Sequence, residues 1–226
     1  MKELGVRLSA VAARIRHGAR VADIGTDHAL LPVWLVQNGR CPSAVASDIG
    51  EGPADAARRT VAGAGLESAV SVRVGDGLAP VQPDEVDDIA IAGMGGETIA
   101  EILAAAPWVM DARYRLVLQP MSKPERLRVF LAENGFLIGE EDVVAEGERL
   151  YTVMMVTFTG VRRSLSYTAA LMGCIPHTNA GVRYMQKLEG RIAEHLAGLP
   201  LREEYEQERR DLTAVAQALA EWLKSG

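Results

Sequence analysis

The sequence predicts an α/β protein in which a mostly parallel, doubly wound sheet of seven strands is followed by an α-helical hairpin. Three observations predict this fold. Short apolar, strand-like runs alternate with helical segments up to residue 135, and two longer strand-like runs joined by a glycine turn follow them. Beyond Gly160 only helical patterns remain. Alternation that finishes in a hairpin is typical of a parallel sheet with one reversed strand, which we expect at the edge.

The individual elements follow from hydrophobic periodicity and from turn residues. Leu4, Leu8, Val11 and Ile15 recur at helical spacing and predict an amphipathic helix over residues 4–16. Strands are predicted at residues 21–24, 43–48, 70–74, 88–92 and 115–120. Helices are predicted between them at residues 30–37, 53–64, 97–105 and 124–133, of which the third ends before Pro107 and the others end at glycine or asparagine turns.

The last part of the chain changes character. Residues 136–144 and 148–159 are predicted as the two strands of the hairpin. A short helix at residues 165–173 precedes two longer apolar stripes that are separated by the turn Gly198-Leu199-Pro200. These stripes predict an antiparallel, coiled-coil-like helical hairpin. We therefore expect two domains, residues 1–160 and residues 161–226.

Composition narrows the function classes. The chain of 226 residues is 48% hydrophobic, which suffices for one α/β domain with an appendage. No run approaches the ~20 apolar residues of a membrane span, and the amino-terminal stretch lacks the apolar core of a secretory signal. The two cysteines, Cys41 and Cys174, have no neighbours at metal-ligand spacing. We expect a cytoplasmic protein without a membrane or metal partner, and the oligomeric state stays open.

The formal net charge of −6 by itself argues against a polyanionic partner. Positive charge is nevertheless concentrated in places. The first helix carries Arg7, Arg14 and Arg16, and a second basic group follows the fifth strand at Lys123, Arg126 and Arg128. Such clusters either hold phosphates or form an ordinary solvated face.

Five predicted strands end in residues that suit a small ligand, and in open α/β sheets a ligand lies beyond these carboxyl ends. The five ends are Asp23-Ile24-Gly25-Thr26-Asp27-His28, Ser47-Asp48-Ile49, Gly75-Asp76-Gly77, Gly93-Met94-Gly95-Gly96 and Gln119-Pro120-Met121. Asp48 is placed to accept hydrogen bonds from ribose hydroxyls, and Asp76 to accept one from an adenine amino group. The ordered set predicts a nucleoside site.

The first loop favours a cationic nucleoside over a dinucleotide. It has one glycine, Gly25, where dinucleotide folds have G-x-G-x-x-G, and Asp27 at the start of the next helix would repel a pyrophosphate. S-adenosylmethionine combines adenine and ribose with a positively charged sulfonium. On charge, the acidic strand ends therefore favour S-adenosylmethionine as the cofactor.

Four motifs carry a resemblance to a known family. They are Asp23-Ile24-Gly25-Thr26-Asp27-His28-Ala29, Val72-Arg73-Val74-Gly75-Asp76-Gly77-Leu78, Ile91-Ala92-Gly93-Met94-Gly95-Gly96 and Leu116-Val117-Leu118-Gln119-Pro120. Over residues 1–160 the chain resembles the bacterial tRNA (adenine-22-N1)-methyltransferases of the TrmK type. The resemblance implies a Rossmann-like class I methyltransferase that transfers a methyl group from S-adenosylmethionine to N1 of an adenine in the tRNA D-loop. Met121 departs from the family pattern, in which we expect asparagine.

Motifs and resemblance together define three groups of candidate residues. The cofactor-binding group is Asp23, Gly25, Asp48, Ile49, Asp76, Gly77, Gly93 and Gly95. The catalytic group is Asp27, His28 and Met94, with Asp27 expected to stabilise the positive charge that the methylated ring acquires. The tRNA-binding group is Arg7, Arg14, Arg16, Gln119, Lys123 and Tyr151.

Several assignments have plainer alternatives. A carboxylate near a helix start is a good N-cap, so Asp27 is either a cap or an active-site acceptor. His28 is either a structural residue or a substrate contact, and Tyr151 suits a core position as well as base stacking. Two other functions stay open: a methyltransferase acting on a small molecule or protein, and a non-catalytic Rossmann-like interaction module. A nucleotide-dependent oxidoreductase is disfavoured by the single-glycine loop.

Overall fold

A computed structural model describes residues 3–225, which form seven β-strands and eight α-helices. The strands are β1 (Val21–Ile24), β2 (Ala44–Asp48), β3 (Val70–Val74), β4 (Asp88–Gly95), β5 (Arg115–Ser122), β6 (Phe136–Glu146) and β7 (Arg149–Phe158). The helices are α1 (Val6–Arg14), α2 (Leu30–Gln37), α3 (Glu51–Gly63), α4 (Gly96–Ala104), α5 (Pro124–Glu133), α6 (Tyr167–Met172), α7 (Asn179–Gly198) and α8 (Glu206–Lys224). The predicted alternation of strands and helices is therefore confirmed.

All seven strands form one sheet in the order β3-β2-β1-β4-β5-β7-β6. Strands β1 to β5 are parallel, and β7 is antiparallel to both β5 and β6. The expected single reversed strand is thus present, but its expected place at the edge is wrong. Strand β7 is inside the sheet because its run Tyr151–Met154 is buried throughout, whereas β6 alternates between buried and exposed residues, as an edge strand does.

The order of the strands reverses at β1, which pairs with β2 on one side and with β4 on the other. In such sheets the connections leave in opposite directions from this point and open a crevice at the carboxyl ends of the strands. Helices cover both faces. Apolar residues of α1, α2 and α3, among them Val11, Leu35 and Val61, pack on one face, and those of α4 and α5, among them Leu103 and Leu127, on the other.

Strands β4 and β5 are longer than the sequence indicates. The sequence predicts that β4 ends at Ala92 and that Pro120 stops the ladder, but pairing continues from Met94 to Pro120 and from Gly95 to Ser122. The register shifts on either side of Met94, so this extension is bulged. Residues Gly93–Gly95 therefore belong to an irregular strand end, and α4 begins directly at Gly96.

The helical tail packs onto the hairpin. Helices α7 and α8 share an apolar cluster that includes Met185, Leu188 and Leu212, and Val143 of β6 belongs to the same cluster. The predicted helical hairpin is confirmed, and its contact with β6 ties it to the sheet. Within residues 3–225, every helix is too short or too polar to span a bilayer.

Candidate functional site

A cavity of about 820 Å³ opens at the carboxyl ends of β1, β2, β3 and β4, and we call it the strand-end cavity. Seven predicted site residues line it: Gly25, Asp48, Ile49, Asp76, Gly77, Gly93 and Met94. They come from four different strand ends that are remote in the sequence. The structure thus brings most of the predicted cofactor-binding group, and one residue of the catalytic group, into one cavity.

The first turn is built around Gly25. Its φ of +70° is in the left-handed region that favours glycine, and a Cβ at this position would lie 2.1 Å from Cε of Met94. The amides of Gly25 and Thr26 both donate to the carbonyl oxygen of Ser47, at 2.8 and 2.9 Å. The turn is therefore fixed against β2, and Met94 can lie directly over it.

The carboxylate of Asp48 is held by two backbone amides. Its Oδ1 accepts a hydrogen bond from Gly50 at 3.0 Å, and its Oδ2 accepts one from the amide of Asp27 at 3.2 Å. Ile49 beside it is 70% exposed at the cavity rim, and Asp76 is also exposed. An anchored carboxylate next to an exposed apolar side chain can accept from vicinal hydroxyls while a flat ring packs against the apolar group.

The cavity is acidic. The described residues that line it include three carboxylates, Asp48, Asp76 and Glu101, and no lysine, arginine or histidine. Apolar side chains such as Ile102 and Trp108 form another part of the wall. Such a lining favours a cationic, partly apolar ligand and disfavours a pyrophosphate. Glu101, Ile102 and Trp108 were missed in the sequence, because their approach to the cavity depends on how α4 docks on the sheet.

Asp23 lies beneath the turn and does not line the cavity. It is buried, and Thr26 Oγ1 donates to its Oδ2 at 2.6 Å. Burial raises the pKa of Asp23 to about 6, against the smaller lowering effects of the Thr26 hydrogen bond and of the Arg7 charge. Asp23 therefore supports the turn from below.

Asp27 does not cap the following helix, so that alternative is wrong. Asp27 and Ala29 both adopt left-handed backbone conformations, and α2 begins only at Leu30 without a side-chain cap. The left-handed residues on either side of His28 delay the start of α2, so Ala29 and not Asp27 occupies the N-cap position. Its carboxylate is 68% exposed and lies 3.6 Å from Nε2 of His28, which is 57% exposed. Both side chains therefore stand at the mouth of the turn, accessible to a substrate.

Gln119 is fully buried and organises the bulged end of β4. Its Oε1 accepts hydrogen bonds from Nη1 of Arg7 at 2.7 Å and from the amide of Gly93 at 3.1 Å, and its Nε2 donates to the carbonyl oxygen of Pro120 at 2.9 Å. These contacts use the polar atoms of its amide. They do not support the expected tRNA contact for Gln119, and they join Arg7 to the support of the Gly93 turn.

The basic residues expected to bind tRNA are mostly engaged in ion pairs. Arg14 pairs with Asp142 at 3.2 Å, and Arg16 pairs with Asp88 at 2.6 Å. Because Asp88 is the first residue of β4, Arg16 lies at the amino edge of the sheet, opposite the cavity. The structure therefore places Arg14 and Arg16 in contacts that stabilise the fold. Lys123 pairs with Glu97 of α4.

The remaining candidates lie outside the cavity. Gly95 is in the β4 extension, and Gly96 after it allows a close approach, because a Cβ there would lie 2.3 Å from the carbonyl oxygen of Lys123. Tyr151 is buried in β7 at the edge of a second cleft. Among the described residues, no group of three or more His, Cys, Asp and Glu side chains is arranged to hold a metal ion.

Comparison with known proteins agrees with this geometry. A family model described as a methyltransferase domain matches residues 4–154. The crystal structure of the Bacillus subtilis m1A22 tRNA methyltransferase TrmK superposes with a TM-score of 0.85 at 32% identity and covers 98% of this chain and 99% of that chain. The Streptococcus pneumoniae protein Sp1610, proposed to be a tRNA (m1A22) methyltransferase, has a TM-score of 0.86 at 33% identity and covers 98% of this chain and 100% of that chain.

A structure of Sp1610 in complex with S-adenosyl-L-methionine also matches, with a TM-score of 0.83 at 32% identity and coverage of 98% of this chain and 100% of that chain. The curated tRNA (adenine(22)-N(1))-methyltransferase of Bacillus subtilis (strain 168) is 40% identical over 153 residues, which are 68% of this chain and 64% of that protein. The alignment thus spans just under two thirds of this curated relative.

The fold, the acidic strand-end cavity and the matched family model define a methyltransferase of the Rossmann-like class. More particularly, the chain belongs to the family of bacterial tRNA (adenine(22)-N(1))-methyltransferases. Its resemblance to that family, predicted from the four strand-end motifs, is confirmed.

Proposed function

We propose that this protein transfers the methyl group of S-adenosylmethionine to N1 of an adenine in tRNA, at position 22 of the D-loop as in its relatives. The observation that carries the proposal is the acidic strand-end cavity, which four strand ends build at the switch point of the sheet. Its relatives of the same fold include one whose structure contains S-adenosyl-L-methionine.

The residues of the cavity fit this methyl donor. The anchored carboxylate of Asp48 suits the ribose hydroxyls, and Asp76 with Ile49 suits the adenine ring and its amino group. Three carboxylates line the cavity and no lysine, arginine or histidine is among its described lining residues, which favours the positive sulfur. When bound, S-adenosylmethionine supplies an electrophilic methyl group. Gly25 and Met94 form adjacent parts of the cavity wall.

The protein has little proton chemistry to perform on the adenine. N1 of the neutral ring carries a free lone pair at neutral pH, so the main task of the protein is to hold the reacting atoms in line. The Gly93–Met94 turn, fixed by Gln119, offers a rigid floor for the ring. Methylation makes the ring cationic. Asp27, whose amide is bonded to Asp48 at the rim, is the exposed carboxylate that would stabilise that charge.

The test incubates the protein with S-adenosylmethionine labelled in its methyl group and with unmodified bulk tRNA, and then maps N1-methyladenine. We expect label in tRNA at a single D-loop adenine. Asp48→Ala should weaken donor binding at least about tenfold, since it removes a charged acceptor of hydrogen bonds. Asp55→Ala is the matched control, because Asp55 is an exposed carboxylate on α3 that pairs with Arg58.

The other outcomes identify the alternatives. Donor binding without label in tRNA would assign the protein to a small-molecule or protein substrate and overturn the tRNA proposal. Failure to bind the donor at all would make the sheet a non-catalytic scaffold. If Asp48→Ala and Asp55→Ala bound S-adenosylmethionine with equal affinity, Asp48 would not be a donor-binding residue.

A further inference from the structure

A second cleft, of about 830 Å³, lies where the carboxyl end of β5, the start of β7 and helix α7 meet. We call it the interdomain cleft. Residues 120–125 and 148–152 supply the walls on the side of the sheet. Tyr184, Lys187, Leu188 and Arg191 supply the wall on the side of the helical tail. The cleft is thus built jointly by the methyltransferase fold and by the tail.

Helix α7 presents one face to this cleft. The four lining residues follow each other at spacings of three, one and three residues, which places them along one side of a helix. Leu188 is buried in the cluster with α8, whereas Lys187 and Arg191 are exposed. The Lys187 amine donates to the carbonyl oxygen of Glu148 at 2.6 Å, which fixes α7 against the turn between β6 and β7.

The interdomain cleft is basic on a protein that is acidic overall. Four cations line it, Lys123, Arg149, Lys187 and Arg191, against two carboxylates, Glu125 and Glu148. Within residues 3–225, Lys123 pairs with Glu97 and Glu148 pairs with Arg183, whereas Arg149 and Arg191 form no ion pair. The net charge of the chain is −6, and the charged residues described in the lining of the neighbouring strand-end cavity are all acidic. Positive charge is therefore available here for an anionic ligand.

The two cavities share a wall. Met94 lines the strand-end cavity, Pro120 lines the interdomain cleft, and the two residues are paired across β4 and β5. A ring held over Met94 would therefore lie one strand away from the lining of the basic cleft. At the floor of the cleft, Thr152 is 2% exposed, and its hydroxyl has no hydrogen-bond partner among the residues that the structure describes.

We propose that the interdomain cleft binds the ribose-phosphate backbone of the nucleotides next to the target adenine, with Arg149, Lys187 and Arg191 as its phosphate contacts. This inference rests on the proposed function. A base that reaches a strand-end pocket has to leave its stack, which bends the flanking backbone and brings its phosphates to the protein surface. The ion-paired Arg14 of α1 and Arg16, which follows the helix, do not offer such contacts.

The test compares two double variants with the same change in charge. Arg149→Glu with Arg191→Glu reverses two cations of the cleft. Arg162→Glu with Arg163→Glu reverses two exposed arginines that follow the opposite end of β7 and serves as the control. Labelled tRNA is titrated by fluorescence anisotropy at several salt concentrations. The KM for tRNA, kcat and donor affinity are then measured for both variants.

We expect the cleft variant to raise the Kd and KM for tRNA at least tenfold relative to the control, with kcat within twofold and donor affinity unchanged. The plot of the logarithm of the tRNA association constant against the logarithm of salt concentration has a negative slope. Its magnitude should decrease by about 1.4 in the cleft variant, since each phosphate contact to a single strand accounts for about 0.7. Equal tRNA binding and KM in the two variants would overturn the inference. A change in oligomeric state with unchanged tRNA binding would assign the cleft to a second copy and also overturn it.

The result also separates this inference from the proposed function. If the wild-type protein binds tRNA through Arg149 and Arg191 but transfers no methyl group to it, the cleft is a tRNA-binding surface without a target adenine, and the proposed function fails. If methyl transfer occurs and the cleft variant matches the control, the proposed function stands and the cleft assignment fails. If the wild-type protein binds no tRNA, both fail.

Discussion

The central sheet has an amino edge, where its parallel strands begin, and a carboxyl edge, where they end. These two edges use charged residues in opposite ways. At the amino edge, arginines and aspartates are paired: Arg16 with Asp88 at 2.6 Å and Arg20 with Asp87 at 2.7 Å. At the carboxyl edge, three carboxylates line the strand-end cavity without a lysine, arginine or histidine among the described lining residues. One edge thus satisfies its charges within the chain, and the other leaves them for a ligand.

The amino edge shows what such pairing does for the fold. Asp88 is fully buried at the start of β4 and accepts hydrogen bonds from the amide and from Nε of Arg16, at 2.7 and 2.6 Å. Arg16 also donates to the carbonyl oxygens of Asp87 and Arg113. Hydrogen bonds from Arg20 hold the pKa of Asp87 down at about 2. The end of α1 is therefore fastened to the sheet by charge-assisted hydrogen bonds.

The largest effect should come from breaking this pairing. Asp88→Ala leaves the guanidinium of Arg16 without its buried partner, so we expect the free energy of unfolding to fall by about 3 kcal/mol. Chemical denaturation measures this change. Asp84→Ala is the control, because Asp84 is 92% exposed beside Arg113 and should contribute at most about 0.5 kcal/mol. The affinity of the folded Asp88→Ala protein for S-adenosylmethionine should be unchanged. A loss of this affinity would contradict the assignment of the amino-edge charges to stability alone.

The opposite pattern is expected at the carboxyl edge. Asp27→Ala should lower kcat for tRNA methylation about 100-fold, as removal of one preorganised charge-stabilising group does elsewhere. Donor affinity should stay within several-fold and the free energy of unfolding should not change, because the Asp27 side chain is 68% exposed. His28→Ala separates the contribution of the neighbouring imidazole. Methylation near the wild-type rate in Asp27→Ala would show that this carboxylate has no catalytic role.

A smaller effect should appear at Asp23, which lies at the carboxyl edge but is buried. Because its pKa is raised to about 6, the folded protein holds this proton at pH values at which the unfolded chain has released it. The stability that Asp23 contributes is complete below about pH 4 and is lost as the pH rises through 6. The substitution Asp23→Asn keeps an oxygen that accepts the hydrogen bond from Thr26 and removes the titratable carboxyl group.

The unfolding free energy of Asp23→Asn relative to the wild type should therefore increase by about 2 kcal/mol between pH 4 and pH 7. Denaturation curves of the two proteins at both pH values measure the difference. A difference that is the same at both pH values would mean that Asp23 titrates in the folded protein as it does in the unfolded chain.

Much of the strand-end cavity was predictable because it depends on local patterns. Gly25, Asp48 and Asp76 each lie at or just after the end of a short strand-like run, and parallel strands deliver their carboxyl ends to one edge. The bulged pairing of Met94 with Pro120 was not predictable, since it depends on how two neighbouring strands adjust their register. The position of β7 inside the sheet was missed because it depends on which strand of the hairpin pairs with β5.

The basic residues show where a pattern in the sequence fails. Arg128 belongs to a basic group that suggests a phosphate-binding surface, yet it is 1% exposed. Its guanidinium pairs with Glu141 of β6 at 2.6 Å and donates to the carbonyl oxygens of Ala170 and Leu171 at the end of α6. The ion pair requires glycine at position 173, because a Cβ there would lie 2.4 Å from Oε2 of Glu141. Arg128 therefore joins the helical tail to the sheet.

The sequence by itself determined the alternation of strands and helices, the acidic strand ends and, through the four motifs, the family. Periodicity and turn residues act over a few neighbours, so they can be interpreted from one chain segment at a time. The tertiary structure alone decided which charges are neutralised. A carboxylate or guanidinium finds its partner across the fold, as Arg128 finds Glu141 and Arg16 finds Asp88, and only the unpaired groups stay available to a ligand.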